Sequence, residues 1–301
     1  MAKQSTGLIA RPVRMVIAGV EGIGKSTLAS KAPAPVFLDA ENGSARLDVR
    51  RVTDFTDWQD LCVSAADLIS DPSCGTIVLD TVDAAEEMVR KHVLKAAKAE
   101  TIEAVSGGFG KGWTMMAEQY ASFLRVMDSA IDAGKHVILI AHVRDKSITL
   151  PDMLGSYSRW ELKLSKQIAS LTKEWADVML FCRYKTQTVK DGSGAKAVGK
   201  PERVMQTQHD ARWDAKNRYG LGDPLPMQWE GPIADLFRTA APAPNASAAF
   251  MRLRQLRKER PKDMASIAKA MGCAKFSDIN EEKAAAIIAE IERLEEEEEA
   301  L

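Results

Sequence analysis

Residues 19 to 26, GVEGIGKS, follow the apolar run Met15-Val16-Ile17-Ala18 and lead into the helix-like Leu28-Ala29-Ser30-Lys31. A strand that turns through glycines into a helix aims several backbone N–H groups and a positive helix end at one point, where a polyphosphate binds. The pattern is G-x-x-x-x-G-K-[ST], and its spacing gives each residue a task. Gly19, Gly22 and Gly24 permit backbone angles and a close approach that a Cβ would block. Lys25 is placed to reach the β- and γ-phosphates, and the Ser26 hydroxyl to hold Mg²⁺. Glu21, Ile23 and Thr27 complete the candidate nucleotide contact. The strand before the glycines and the lysine-serine pair after them separate this segment from a chance match in a glycine-rich turn.

A chain of 301 residues, 46% apolar, has room for one large core or two domains. No apolar stretch approaches the roughly 20 residues needed to span a bilayer. The start, MAKQSTGLIARP, lacks the apolar segment of a signal peptide, so the expectation is a cytoplasmic protein without a membrane partner. Cys62, Cys74, Cys182 and Cys273 stand apart, without C-x-x-C spacing, and read as reduced thiols rather than zinc ligands. The formal net charge is −1, so any nucleic-acid footprint has to be local.

Four further apolar runs follow: Val36 to Asp39, Thr76 to Asp80, His136 to Ala141 and Val178 to Phe181. With amphipathic helices expected over 57–71 and 114–133 between them, they argue for an α/β core with a mostly parallel sheet covered on both faces. Residues 178–208 read as a β-hairpin turning at Asp191-Gly192-Ser193-Gly194. The uncharged, proline-containing stretch 240–249 reads as a linker. The domains expected are therefore a core over 1–239 and, after the linker, a small helical module over 250–301. Its helices are expected at 250–259, 263–271 and 281–294, and it ends in the acidic run Glu295 to Glu299.

A phosphate loop needs a second carboxylate at a neighbouring strand end to organise Mg²⁺, and Asp80, closing Thr76-Ile77-Val78-Leu79, is placed for it. Hydrolysis also needs a group that orients or deprotonates water. Glu41, two residues past Asp39, is a candidate, and on spacing alone a surface glutamate fits that position equally well.

Taken in order, GVEGIGKST, VFLDAENG, TIVLDTVD and ILIAHVRDK resemble the successive core motifs of the RecA/RadA recombinase ATPases. The resemblance covers roughly residues 12–238, and it implies a RecA-like P-loop NTPase core that hydrolyses ATP with Mg²⁺. It makes Glu41 the catalytic glutamate and His142 the residue that senses the γ-phosphate. Asp214-Ala215-Lys216-Asn217-Arg218-Tyr219-Gly220 is similar to the K-N-R-F-G motif of RadA, which implies that Lys216 and Arg218 face the nucleotide of a neighbouring subunit. The implied assembly is a homo-oligomer, ring or filament, with nucleotide at the subunit interface. No N-K-x-D guanine-reading motif is present, which favours ATP over GTP.

The large additional domains of RecA and RadA are missing. The bare core looks most like the RecA-like single-strand-annealing ATPases of bacteriophages, and this implies a location in the bacterial host cytoplasm. In such proteins two loops hold single-stranded DNA. The first candidate here, residues 105–113, offers Phe109, Lys111 and Trp113 for stacking and phosphate contact. The second, 144–175, offers Arg144, Lys146, Arg159, Lys163 and Lys166, although Leu162, Ile168 and Leu171 also fit a core stripe. Phe237-Arg238-Thr239-Ala240 fits an F-x-x-A pattern for docking on a neighbour, or else a core phenylalanine ending the last strand.

The function this implies is ATP-dependent single-stranded-DNA binding with annealing or strand pairing. A single-strand-binding or other recombination protein is a further partner. Two alternatives stay open: a helicase-like hexameric motor, and a nucleotide-gated DNA-binding or loader protein with little hydrolysis.

Overall fold

The computed structural model describes residues 6, 10–149, 156–191, 194–239, 252–253, 256, 260–271 and 281–299. The expected linker and most of the first C-terminal helix lie outside these residues. So do Gly192 and Ser193 of the hairpin turn, and Cys273.

Runs that are apolar on both faces become the buried parallel strands, and the short, mostly exposed Arg50–Val52 joins them at the sheet edge by pairing with Pro35–Asp39. These are β1 (Arg14–Gly19), β2 (Pro35–Asp39), β3 (Arg50–Val52), β4 (Thr76–Asp80), β5 (His136–Thr149) and β7 (Val178–Asp191). Antiparallel strands complete the sheet: β6 (Ser156–Leu162) on β5, and β8 (Gly194–Gln206) and β9 (Lys216–Asn217) on β7, with β10 (Leu225–Pro226) on β8. The ten-stranded order is β10-β8-β7-β1-β5-β4-β2-β3, with β6 and β9 branching off it. The parallel sheet and the hairpin of residues 178–208 match the reading of the sequence.

Side chains alternate across a strand, and β1 divides accordingly. Val16 and Ala18 face one core with α2 (Trp58–Ser70), α3 (Val82–Ala97), α4 (Lys111–Asp132) and α5 (Lys166–Trp175). Met15 and Ile17 face the other, with α1 (Lys25–Ala29) and α6 (Pro232–Thr239). Helix α2 starts where Asp57 accepts the Asp60 N–H, and it buries Trp58, Leu61, Ala65 and Leu68 along one stripe. After the core, α7 (Pro261–Ala270) begins on a proline whose missing N–H costs nothing at that position. It is followed by α8 (Glu281–Glu299), which contains the acidic run. Leu253, Leu256, Ala268, Ala284, Ile287 and Ile291 are buried together as a separate cluster.

Several expectations are corrected. Helix α4 begins at Lys111, so Lys111 and Trp113 occupy its first turn rather than a loop. Gly112 is pressed against the Ile102 carbonyl, and Trp113 packs on the core. The described residues of 144–175 are not a loop either: β5 runs on to Thr149 and pairs with β6, and α5 follows. Its apolar residues Leu162 and Ile168 are core, and Leu171 packs on them. Phe237 ends no strand; it is buried in α6 against the rings of His136 (4.6 Å) and Trp229 (4.8 Å), so it cannot serve as an anchor on a neighbour.

His136 opens β5 buried, and its Nδ1 accepts the Val13 N–H at 3.1 Å. Burial lowers its pKa from 6.5 to about 4. The folded state holds the neutral ring and the unfolded chain takes up a proton below 6.5, so this contribution is intact above pH 6.5 and is lost as pH falls toward 4. At full loss it amounts to about 3 kcal/mol. The Asp80 carboxyl, raised to about 6, titrates with the opposite sign, so the check is differential. His136→Asn should flatten the fall in melting temperature between neutral and acid pH, measured by circular dichroism beside the wild type.

Candidate functional site

The carboxyl ends of the parallel strands bring the motifs together. Gly19 of β1 lies in register with His142 of β5 and Cys182 of β7, and Asp39 of β2 with Asp80 of β4. A Cβ on Gly19 would sit 2.6 Å from the Cys182 carbonyl oxygen, so glycine is required for the strands to pack there. Gly24 holds φ at 108°, a conformation open to glycine, and the chain then enters α1.

Gly22, Gly24, Lys25, Ser26, Thr27, Glu41, Gly43, Asp80 and His142 line one cleft of about 310 Å³. Lys25 is buried and donates to the Gly19 and Val20 carbonyls, both at 3.0 Å. Burial lowers its pKa, opposed by the nearby acids. Asp80 is buried too. Desolvation lifts its carboxyl to about 6, the Ser26 hydroxyl hydrogen bond pulls it down, and Glu41 and Asp39 push it up. Buried oxygen donors crowded with like charge suit a hard divalent cation, and Ser26 and Asp80 would hold it. Ile23 has its side chain in the core, so only its backbone is offered to a ligand, and Glu21 is exposed at 3.4 Å from Lys163.

Glu41 is exposed at the cleft, and its Oε1 accepts the Thr81 hydroxyl at 2.5 Å. Its loop is tied down by backbone bonds from Ala40 and Glu41 to the Asp80 carbonyl. Asp39 adds to this by accepting the Gly43 and Ser44 N–H groups. His142 Nδ1 lies 3.7 Å from Glu41 and 3.6 Å from Asp83, whose carboxylate also accepts the His142 N–H at 2.9 Å. Sequence reasoning missed Asp39, Thr81 and Asp83; the last was visible in Asp80-Thr81-Val82-Asp83, where a helix turn brings it back beside Asp80.

Lys216 and Arg218 lie elsewhere. Strand β9 pairs with Val178 and Met179 of β7, at the far end of the sheet from the phosphate loop beside Cys182. The Lys216 ammonium donates to the Lys173 and Glu174 carbonyls at the end of α5 (3.0 and 2.9 Å), and Arg218 donates to Asp177 at 2.8 Å.

The two segments expected at DNA converge on one groove of about 640 Å³ lined by Trp113, Arg144, Lys163 and Lys166, together with Asp83, Glu86 and Glu87. Phe109 is fully exposed, and the Lys111 ammonium rests on the Ser106 carbonyl. Lys146 is exposed and pairs with Glu161. Arg159 is a correction. Its guanidinium is held by Asp214 at 2.6 Å and by the Ala211 carbonyl at 2.6 Å, with its side chain 15% exposed, so its charge is already answered by a carboxylate and little of it faces a phosphate.

Sheet, glycine loop, buried lysine and the paired Ser26 and Asp80 define a P-loop nucleoside triphosphatase. A family model described as an AAA domain matches residues 11–219, more than half of the chain, and the protein belongs to that family. No curated protein gives a significant match. Among the described residues no helix is long and apolar enough to cross a membrane, and no cluster of three or more metal-binding side chains occurs.

Proposed function

We propose that the chain is an ATP-dependent, single-stranded-DNA-binding recombination protein of the RecA-like kind found in bacteriophages, assembling head to tail and promoting annealing or strand pairing. The core is residues 1–239, tethered through 240–249 to a helical module over 250–301. Lys25 and the backbone of the loop bind the phosphates, and Glu41 takes the proton of the attacking water. Mg²⁺ held by Ser26 and Asp80 supplies charge neutralisation on the phosphates. Arg218, with Lys216, completes the site of the adjacent subunit.

The observation that carries the DNA reading is the groove. Trp113 comes from one candidate segment, and Arg144, Lys163 and Lys166 from the other. The Lys163 N–H bonds the His142 carbonyl at 2.9 Å, so the groove is joined covalently and by hydrogen bond to a residue of the nucleotide cleft. Such a link is what a nucleotide-dependent change in DNA affinity requires.

Binding of a labelled oligonucleotide, followed by fluorescence anisotropy, should weaken linearly on a log-log salt plot. Each neutralised phosphate contributes a slope of about −0.7. The Arg144→Ala/Lys166→Ala pair should weaken binding about tenfold and flatten that slope by roughly 1.4. Absence of single-strand binding overturns the reading. Directional strand displacement in place of annealing replaces it with a motor.

A further inference from the structure

We infer that Arg203 is a second nucleotide-binding cation, contributed by the same chain and directed at the α- and β-phosphates. This deepens the nucleotide-site reading above and rests on it. Arg203 belongs to β8, two positions beyond Met205, and Met205 sits in the register row Gly19, Cys182, Met205 from which the phosphate loop springs. Alternation along the strand gives Arg203 the same face as buried Met205, which packs with Ile23 and Leu28 under the loop.

The guanidinium therefore reaches over the loop. Its Nη1 donates to the Ile23 carbonyl at 3.1 Å and stands 2.9 Å from the point where a Gly24 Cβ would be. That is the space glycine leaves clear for a close phosphate approach. Arg203 is exposed, and among the described residues it forms no ion pair. One carbonyl bond leaves most of its five N–H donors unused.

The strand that carries Arg203 is also held in place. The Met227 N–H bonds the Arg203 carbonyl at 3.1 Å, and β10 pairs with Val204 and Met205, so the strand end is fixed beside the loop. A nucleoside diphosphate brings about three negative charges at neutral pH, and Lys25 answers only one of them. On binding, the guanidinium exchanges the Ile23 carbonyl for phosphate oxygens, a charge-assisted and bidentate contact that a neutral acceptor cannot match.

The test is titration of the full chain with fluorescent ATP and ADP analogues in magnesium buffer. Arg203→Ala should raise Kd about ten- to a hundredfold, equally for both nucleotides, because they share the α- and β-phosphates. It should also flatten the salt dependence of binding. Arg203→Lys should restore the salt dependence and part of the affinity. The melting temperature without nucleotide should stay within about 2 °C of wild type, as expected for an exposed side chain.

Unchanged affinity in Arg203→Ala, with binding abolished by Lys25→Ala, overturns the role of Arg203 and leaves the site reading standing. A loss confined to ATP overturns the α/β assignment. A loss accompanied by a lowered melting temperature and an unaltered salt dependence makes Arg203 a prop for Ile23 and overturns the contact. Failure of the wild type to bind either analogue overturns both readings.

Discussion

Glu41→Gln is expected to lower ATP turnover by at least about a hundredfold while nucleotide affinity stays within about threefold of wild type. Glutamine keeps the size of glutamate and still accepts the Thr81 hydroxyl, which holds Glu41 Oε1 at 2.5 Å, so the loop anchored on Asp39 and the Asp80 carbonyl is undisturbed. What is lost is the capacity to take a proton. Removing a negative charge beside buried Asp80 also lowers the repulsion on that carboxyl, so ligand binding has no reason to suffer. Lys25→Ala differs in kind: it deletes the buried ammonium and should abolish binding and turnover together. Steady-state hydrolysis and equilibrium titration on the two variants separate these outcomes. If Glu41→Gln loses binding as fully as Lys25→Ala, Glu41 is a structural member of the loop.

The elements that carry this chemistry were legible because strands buried on both faces are continuous apolar runs, and their ends mark the catalytic edge of the sheet. Gly19, Asp80 and His142 were each found that way. Partnerships distant in sequence were not legible. The capture of Arg159 by Asp214 spans 55 positions, and that of Ile23 by Arg203 spans 180. A cation in a strand reads as solvent-facing until the strand's neighbour is known. The extension of β5 to Thr149 was hidden for the same reason: His142-Val143-Arg144-Asp145-Lys146-Ser147 is polar enough to read as a loop, and only pairing with β6 makes it a strand. Phe237 is core, as one of its two readings held, but in a helix rather than at the end of a strand, because its apolar neighbours Ile233 and Leu236 recur at helical spacing.

Arg218→Ala is expected to reduce turnover by about a thousandfold or more, in line with removal of an arginine that completes a phosphoryl-transfer site from across an interface. In its own chain Arg218 follows β9, which pairs at the start of β7, whereas the loop lies beside Cys182, so the proposed role is one toward a neighbour's nucleotide. Its side chain is 56% exposed, and its partner Asp177 keeps a second cation, Arg14, at 2.9 Å. Because Asp177 keeps Arg14 when the exposed Arg218 is removed, the loss costs folding about 1 kcal/mol, and the variant should stay intact. Lys216 is the poorer probe, because its ammonium caps the carbonyl end of α5 and Lys216→Ala would disturb the fold as well. Mixing decides the matter. In a head-to-tail assembly each site takes its loop and Glu41 from one subunit and Arg218 from the next. An equal mixture of Glu41→Gln and Arg218→Ala chains, each inactive alone, rebuilds a complete site at roughly a quarter of interfaces, and hydrolysis should recover to about that fraction. No recovery, with both variants shown to exchange subunits, would place Arg218 outside the reaction and leave it as a partner of Asp177 alone.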